Sequence, residues 1–187
     1  MKIFKKVSIL FLATLVFTAC SNDDDPLPVN EEEVITTLTA TLVPVGGGTA
    51  VTLQTRDLDG DGPNPPVITV SGPLAAGTTY NGSLALLNET VTPAESINEE
   101  IAEEDEEHQF FFQATNNIAT FDYVDFDGND NPVGLEFTLT TTTTGAGSIT
   151  IILRHEPNKT ATGVSDGDIT NAGGETDITA TFQVTVQ

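Results

Sequence analysis

The apolar residues of this chain recur mostly at every second position, in short runs from Val34 to the C-terminus. Polar residues, many of them threonine, fill the positions between them, and Gly, Pro, Asn or Asp bound each run. Alternation of period two between turn residues is typical of strands with one buried and one exposed face. About nine such runs predict an all-β fold, an antiparallel β-sandwich that is immunoglobulin-like in the broad sense.

One acidic segment interrupts this alternation. It follows Pro93, and it contains Ile97 and Ile101 four positions apart among many glutamates. That spacing would place both isoleucines on one side of a short helix, so the pattern predicts one helix near 93–103. A disordered acidic loop is the alternative, because like charges close together weaken a helix.

The N-terminus has the pattern of an export signal. Residues 7–17 form an apolar run that is too short to span a bilayer as a helix, and a basic start precedes it. The segment Phe17-Thr18-Ala19-Cys20 resembles the lipoprotein box of bacteria, although Phe17 stands where Leu is usual. This resemblance implies cleavage before Cys20 and lipidation of Cys20. An ordinary signal peptide with a chance cysteine is the alternative.

The chain is expected to divide into three parts. Residues 1–19 are the predicted lipoprotein signal peptide, and 20–33 are a lipidated, flexible, acidic tether with too few apolar residues to fold. Residues 34–187 are long enough for a single β-sandwich domain. The acidic run directly after Cys20 is similar to the surface-export tethers of Bacteroidota lipoproteins, and a plain flexible spacer is the alternative.

Acidic residues dominate the charge of the chain. Its 28 Asp and Glu residues stand against six Lys and Arg residues, for a formal net charge of −22. Such a surface repels nucleic acid and anionic membrane, so a nucleic-acid partner is excluded, and it attracts cations. Solubility alone is the other explanation of the charge.

The last third of the chain carries a family resemblance. The stretches LRHEPNK (Leu153–Lys159) and SDGDITNAGGETD (Ser165–Asp177) look like those of small outer-membrane lipoproteins of Bacteroidota. Such lipoproteins are often neighbours of TonB-dependent transporters. The resemblance therefore implies an uptake accessory, anchored by lipid in the outer membrane and exposed at the cell surface, but it identifies no cargo.

The two histidines are the sharpest candidates for chemistry. His108 begins a predicted strand and His155 ends one, each on the apolar side, and Glu107 and Glu156 adjoin them. If simple hairpins follow His108, both rings and the acidic loop that begins at Asp125 fall at one end of the sandwich. Two imidazoles with carboxylates suit Zn²⁺ or another transition ion. The alternative is that each histidine caps the core and bonds a backbone carbonyl.

Two acidic turns match the opening of a calcium-binding loop. Asp57, Asp59 and Asp61 alternate along the first, and Asp125 and Asp127 belong to the second. Alternating carboxylates on a tight turn bring several oxygens together, as Ca²⁺ requires. Hairpin turns use Asp, Gly and Asn in any case, so an ordinary turn is the alternative for both.

A catalytic role is not expected. The G-x-S-x-G match at residues 163–167 has no histidine after it, whereas a nucleophile elbow needs one. The preferred function is a cation-binding accessory to an outer-membrane transporter. A structural or adhesive surface module without metal is the second hypothesis, and a carboxylate-dependent hydrolase is the third.

Overall fold

The computed structural model of the chain describes residues 33–60 and 62–187. The predicted signal peptide, the lipidation of Cys20, all but the last residue of the predicted tether, and Asp61 lie outside the described residues. Within the described ranges there are ten strands, one α-helix and two short 3₁₀ segments.

The elements follow one another from Thr37 to Val186. The strands are β1 Thr37–Pro44, β2 Val51–Arg56, β3 Val67–Val70, β4 Thr79–Asn88, β5 Glu95–Ser96, β6 His108–Ala114, β7 Ala119–Tyr123, β8 Glu136–Thr141, β9 Gly145–His155 and β10 Glu175–Val186. The helix α1 spans Ile97–Glu103, and the 3₁₀ segments are Val164–Asp166 and Ile169–Asn171.

The strands form two antiparallel sheets. The larger sheet has the order β3-β2-β1-β4-β8-β7, with β5 added at β4, and the smaller has the order β10-β9-β6. The predicted all-β sandwich is therefore confirmed. Its core consists of the alternating apolar residues of both sheets, among them Leu38, Leu42, Ile151 and Phe182.

The predicted helix is present but starts later than expected. It begins at Ile97 and not at Pro93, and Ser96 before it still has an extended backbone. Ile97 and Ile101 are buried in the main core, as their spacing predicted. Burial of these two side chains compensates for the repulsion among the neighbouring glutamates.

Strand β6 is covered on both faces. Phe110 packs into the main core, while Phe111 points to the opposite side and contacts a second cluster with Val164 and Ala172. The segment after β9, which contains the 3₁₀ segments, thus covers the outer face of the smaller sheet.

Candidate metal centre

His108 and His155 lie directly opposite each other on adjacent strands. They are register partners in the β6–β9 ladder, and their ring centroids are 4.6 Å apart. The exposed fraction is 0% for His108 and 3% for His155. The structure therefore brings together the two imidazoles that the sequence singled out.

The route by which they meet differs from the predicted one. Simple hairpins after His108 were expected, but β6 pairs with β9, while β7 and β8 belong to the larger sheet. The hairpin prediction holds for β7 and β8, which pair antiparallel, but it was wrong for the links β6–β7 and β8–β9, because each of them crosses between the sheets. The histidines meet through register, not through a shared loop cluster.

Two buried carboxylates complete the cluster, and neither was among the predicted ligands. Glu33 Oε1 is 2.6 Å from His108 Nε2, and Glu33 Oε2 is 3.6 Å from His155 Nδ1. Asp177 Oδ1 is 3.8 Å from His155 Nδ1. The side chains of Glu33 and Asp177 are 1% and 0% exposed.

Glu33 was placed in the flexible tether, and the structure corrects this boundary. The folded unit includes Glu33, whose side chain reaches the histidines. The run of three glutamates at 31–33 resembled solvated tether because nothing in its composition distinguishes its last member. Thr36, close behind it, hydrogen-bonds to Leu87 of β4, and this anchors the entering chain.

Asp177 was missed for a different reason. Ile178 and Ala180 pack toward the main core, so an unbroken β10 would direct Asp177 to the other face. The register between β10 and β9 shifts between Thr176 and Ile178. Such a shift re-aims the side chain at the irregularity, and no periodicity argument could have found it.

His108 has a defined tautomer. Its Nδ1 lies 3.1 Å from the carbonyl oxygen of Glu104, which can only accept, so Nδ1 carries a proton. Nε2 then faces a carboxylate oxygen of Glu33 at 2.6 Å. Two lone pairs at that distance repel each other, so a second proton lies between the two atoms in this geometry.

The pKa shifts show how Glu33 and His108 compensate each other. Burial alone lowers the pKa of His108, but the Glu33 carboxylate, the Glu104 carbonyl and Asp177 together outweigh it, and the net shift is upward. Burial alone raises the pKa of Glu33, but His108, the backbone of Glu33 itself and His155 together outweigh it, and the net shift is downward. When no metal is bound, the proton is thus the cation that this pair holds.

His155 is less satisfied than His108. Within residues 33–60 and 62–187, neither ring nitrogen of His155 has a hydrogen-bond partner. Its Nδ1 faces Glu33 and Asp177, and its Nε2 faces the exposed Glu107 at 3.9 Å. A buried polar group without a hydrogen bond is costly, so the ring is suited to an ion that binds it.

The acidic loop at 125–127 does not join this cluster. Asp125 accepts hydrogen bonds from the backbone of Gly134 and Leu135, both at 2.9 Å. Asp127 forms a buried ion pair with Lys159 at 3.0 Å. Asp125 was expected to help the histidines bind a metal, but among the described residues neither it nor Asp127 belongs to a ligand group with them. Asp125 is bonded to the backbone of its own loop, and Asp127 to Lys159. The ammonium group of Lys159 contacts Oδ2 of Asp127, and the backbone amides of Asn129 and Asn131 donate to Oδ1. Calcium binding at this loop stays a prediction.

The first predicted calcium loop is a hydrogen-bonded turn in its described part. Asp57 accepts from the backbone of Asp59, at 3.2 Å, and Asp59 accepts from the side chain of Asn64 at 2.7 Å. Asp61 is outside the described residues. Calcium binding at this turn stays a prediction.

The donor set has the dimensions of a transition-metal site. Glu33, His108, His155 and Asp177 each offer one ligand atom, and these atoms lie within 4.8 Å of one another. Ligands about 2.0–2.2 Å from a tetrahedral Zn²⁺ are separated by roughly 3.4 Å. The distances from His155 Nδ1 to the two carboxylates, 3.6 and 3.8 Å, are close to this value. The contact of 2.6 Å between Glu33 Oε1 and His108 Nε2 would have to widen.

Comparison of the chain with protein-family models, with curated proteins and with solved structures found no match. Among residues 33–60 and 62–187, no helix is long and apolar enough to cross a membrane.

Proposed function

We propose that this protein is a lipid-anchored outer-membrane protein that binds a transition-metal cation, with Zn²⁺ as the first candidate. The ion would be held by Glu33, His108, His155 and Asp177. The observation that carries the proposal is the burial of two imidazoles and two carboxylates around one point. Two anionic and two neutral ligands match a divalent ion in charge and borderline softness.

The nitrogen donors argue against Ca²⁺ or Mg²⁺ at this point. These hard cations take oxygen ligands, whereas imidazole suits Zn²⁺ and other first-row transition ions. The hydrogen bond that His108 Nδ1–H donates to the Glu104 carbonyl also supports this arrangement. In protein metal sites, such a hydrogen bond orients the ring and leaves the other nitrogen to bind the ion.

The role of accessory to an outer-membrane transporter is the more distant part of the proposal. Its support is the resemblance of the last third of the chain to lipoproteins that neighbour TonB-dependent transporters. His155 and Asp177 both belong to the resembling stretches. Co-purification of the tethered protein with a transporter tests this part separately from metal binding.

Thermal unfolding with added Zn²⁺ tests the binding site. A ligand at 100 times its Kd stabilises the folded state by about 2.7 kcal/mol, which raises the Tm of a domain of this size by roughly 5–10 °C. EDTA should reverse the shift, and Ca²⁺ should not produce it at this site. His108→Ala and the nearly isosteric Asp177→Asn should both abolish the response.

Glu99→Gln is the matched control, because it removes an exposed acid on α1. This variant should respond to Zn²⁺ like the wild type. A zinc response that persists in a folded Asp177→Asn protein, or a wild type without any response to transition ions, would contradict the proposed site.

A further inference from the structure

A second group of possible ligands adjoins the buried cluster on its solvent side. Glu107, His155 and Glu156 each offer one ligand atom, and these atoms lie within 4.8 Å of one another. His155 belongs to both groups. Its Nδ1 faces the buried carboxylates, and its Nε2 faces Glu107 at 3.9 Å.

The buried imidazole points to a ligand independently of the surface acids. His155 is 3% exposed, and its Nε2 has no hydrogen-bond partner within the described part of the chain. Glu107, in contrast, has a side chain that is 55% exposed. The unpartnered nitrogen is therefore directed from the interior toward a carboxylate that solvent reaches freely.

The backbone holds Glu107 and Glu156 next to each other. The amide of Glu156 donates to the carbonyl of Glu107, at 2.7 Å. Gly174 lets the chain pass close to the backbone of His155 and Glu156, because a Cβ at that position would overlap the carbonyl of His155. The outer acids and the shared histidine are thus built into the same strand ends as the inner cluster.

We infer that Glu107, Glu156 and His155 Nε2 form an outer cation site, through which a transition ion passes on its way to the buried cluster. This inference rests on the proposed function, since it requires an inner destination. The outer site should be the weaker one, because its carboxylates are solvated and its ligand set has one imidazole and not two.

The two sites must be used in sequence and not together. A neutral imidazole has one nitrogen with a free lone pair, and the other carries a proton. With the ion on Nε2, the proton is on Nδ1. When the ion moves to Nδ1, that nitrogen releases its proton to water and Nε2 takes one from water, so the ring stays neutral. Glu107 can then accept a hydrogen bond from Nε2.

That last state suggests a competing role for Glu107. Metal-binding histidines commonly donate their second ring proton to a carboxylate, which orients the ring and strengthens the metal bond. In that role alone, Glu107 would act on the stability of the bound state. As part of an entry site, it would act on the rate of binding and release. Kinetics therefore separates the two.

The experiment measures Zn²⁺ association and dissociation by stopped flow with a chromophoric chelator, for the wild type and for a Glu107→Gln/Glu156→Gln variant. Charged entrances raise association rates by 10-fold or more, so we expect the variant to bind about tenfold more slowly. Release should slow by a similar factor, since it uses the same route. The equilibrium Kd should therefore change little.

Asp122→Asn/Glu136→Gln is the matched control, because it removes two exposed acids from β7 and β8 and changes the net charge equally. Its rates should stay close to those of the wild type.

An unchanged association rate in the Glu107→Gln/Glu156→Gln variant, with faster release and a weaker Kd, would overturn the entry site and leave a positioning role. Equal slowing in the control would also overturn it. Absence of zinc binding by the wild type would instead refute the proposed function itself.

Discussion

Two buried carboxylates in this domain, Asp127 and Glu33, are neutralised in different ways. Asp127 pairs with the ammonium group of Lys159 at 3.0 Å and also accepts hydrogen bonds from the backbone of Asn129 and Asn131, at 2.8 and 2.9 Å. Within residues 33–60 and 62–187, the ion pairs of Glu33 are with imidazoles, at 2.6 and 3.6 Å. In that part of the chain, Asp127 has a lysine as its cation, whereas Glu33 has histidines.

The difference teaches where an external cation can be accommodated. A lysine that already pairs with a carboxylate excludes a metal ion from it. Imidazole carries a charge only when it is protonated, and when neutral it is a metal ligand. Acidic composition alone therefore does not make a cation site in this protein. What matters is whether the fold brings a basic side chain or an unprotonated nitrogen to the carboxylate.

The pKa shifts around Lys159 agree with this contrast. Burial lowers the pKa of Lys159, and the attraction of Asp127 offsets only part of that shift. For Asp127, burial raises the pKa, but hydrogen bonds from the Asn131 backbone and from Lys159 outweigh it and the net shift is downward. The pair thus holds its charges by mutual contact inside the protein.

Removal of Lys159 is the largest change expected. Lys159→Met should destabilise the domain by roughly 3–5 kcal/mol, because it leaves the buried Asp127 charge without a partner. Chemical denaturation measures this loss. The double variant Lys159→Met/Asp127→Asn should recover part of it, and Zn²⁺ should not restore the pair. A loss below about 1 kcal/mol would mean that the pair behaves like a surface contact, and the contrast with Glu33 would fail.

Tyr123 offers a neutral counterpart to both regions. Its hydroxyl donates to the carbonyl of Phe110 at 2.6 Å, and burial raises its pKa to about 12. Because the folded pKa lies above the unfolded value near 10, this group stabilises the fold below pH 10 and loses that contribution as the pH rises toward 12.

Tyr123→Phe should therefore cost about 1 kcal/mol at pH 8, where it loses a hydrogen bond. The difference between wild type and variant should shrink between pH 10 and 12. Denaturant titrations across this range measure the difference. If the difference in unfolding free energy between wild type and variant stays constant with pH, the hydroxyl does not titrate as a buried group.

The exposed pair of Arg56 and Glu89 should give the smallest effect. Two bonds of 2.8 Å link the guanidinium to the carboxylate, and a hydrogen bond from Arg56 together with one from Thr37 lowers the pKa of Glu89 to about 2. The stabilisation is present above the ordinary pKa of 4.5 and is lost as the pH falls toward 2.

Glu89→Gln should thus change the stability of the domain only slightly at pH 7. As the pH falls from 4.5 to 2, the variant should lose less stability than the wild type. Thermal unfolding in low and high salt measures this, since solvent and salt screen an exposed pair. An effect as large as that of Lys159→Met would remove the distinction between buried and exposed pairs.

The sequence by itself determined the class of fold and the faces of its strands. Alternating apolar residues predicted the sandwich, and the spacing of Ile97 and Ile101 predicted a buried helix face. Parity placed both histidines on an inward face, because side-chain direction along a strand depends only on position. These features depend only on short stretches of sequence, so a local pattern is sufficient to predict them.

Only the tertiary structure decided which residues surround the histidines. The pairing of β6 with β9, the reach of Glu33 into the core and the register shift at Asp177 join parts of the chain far apart in sequence. Periodicity shows which face a side chain occupies, but the partner strand is selected by competition among all possible pairings and by the packing of the whole core. The same competition gave Asp127 a lysine and left His155 facing carboxylates.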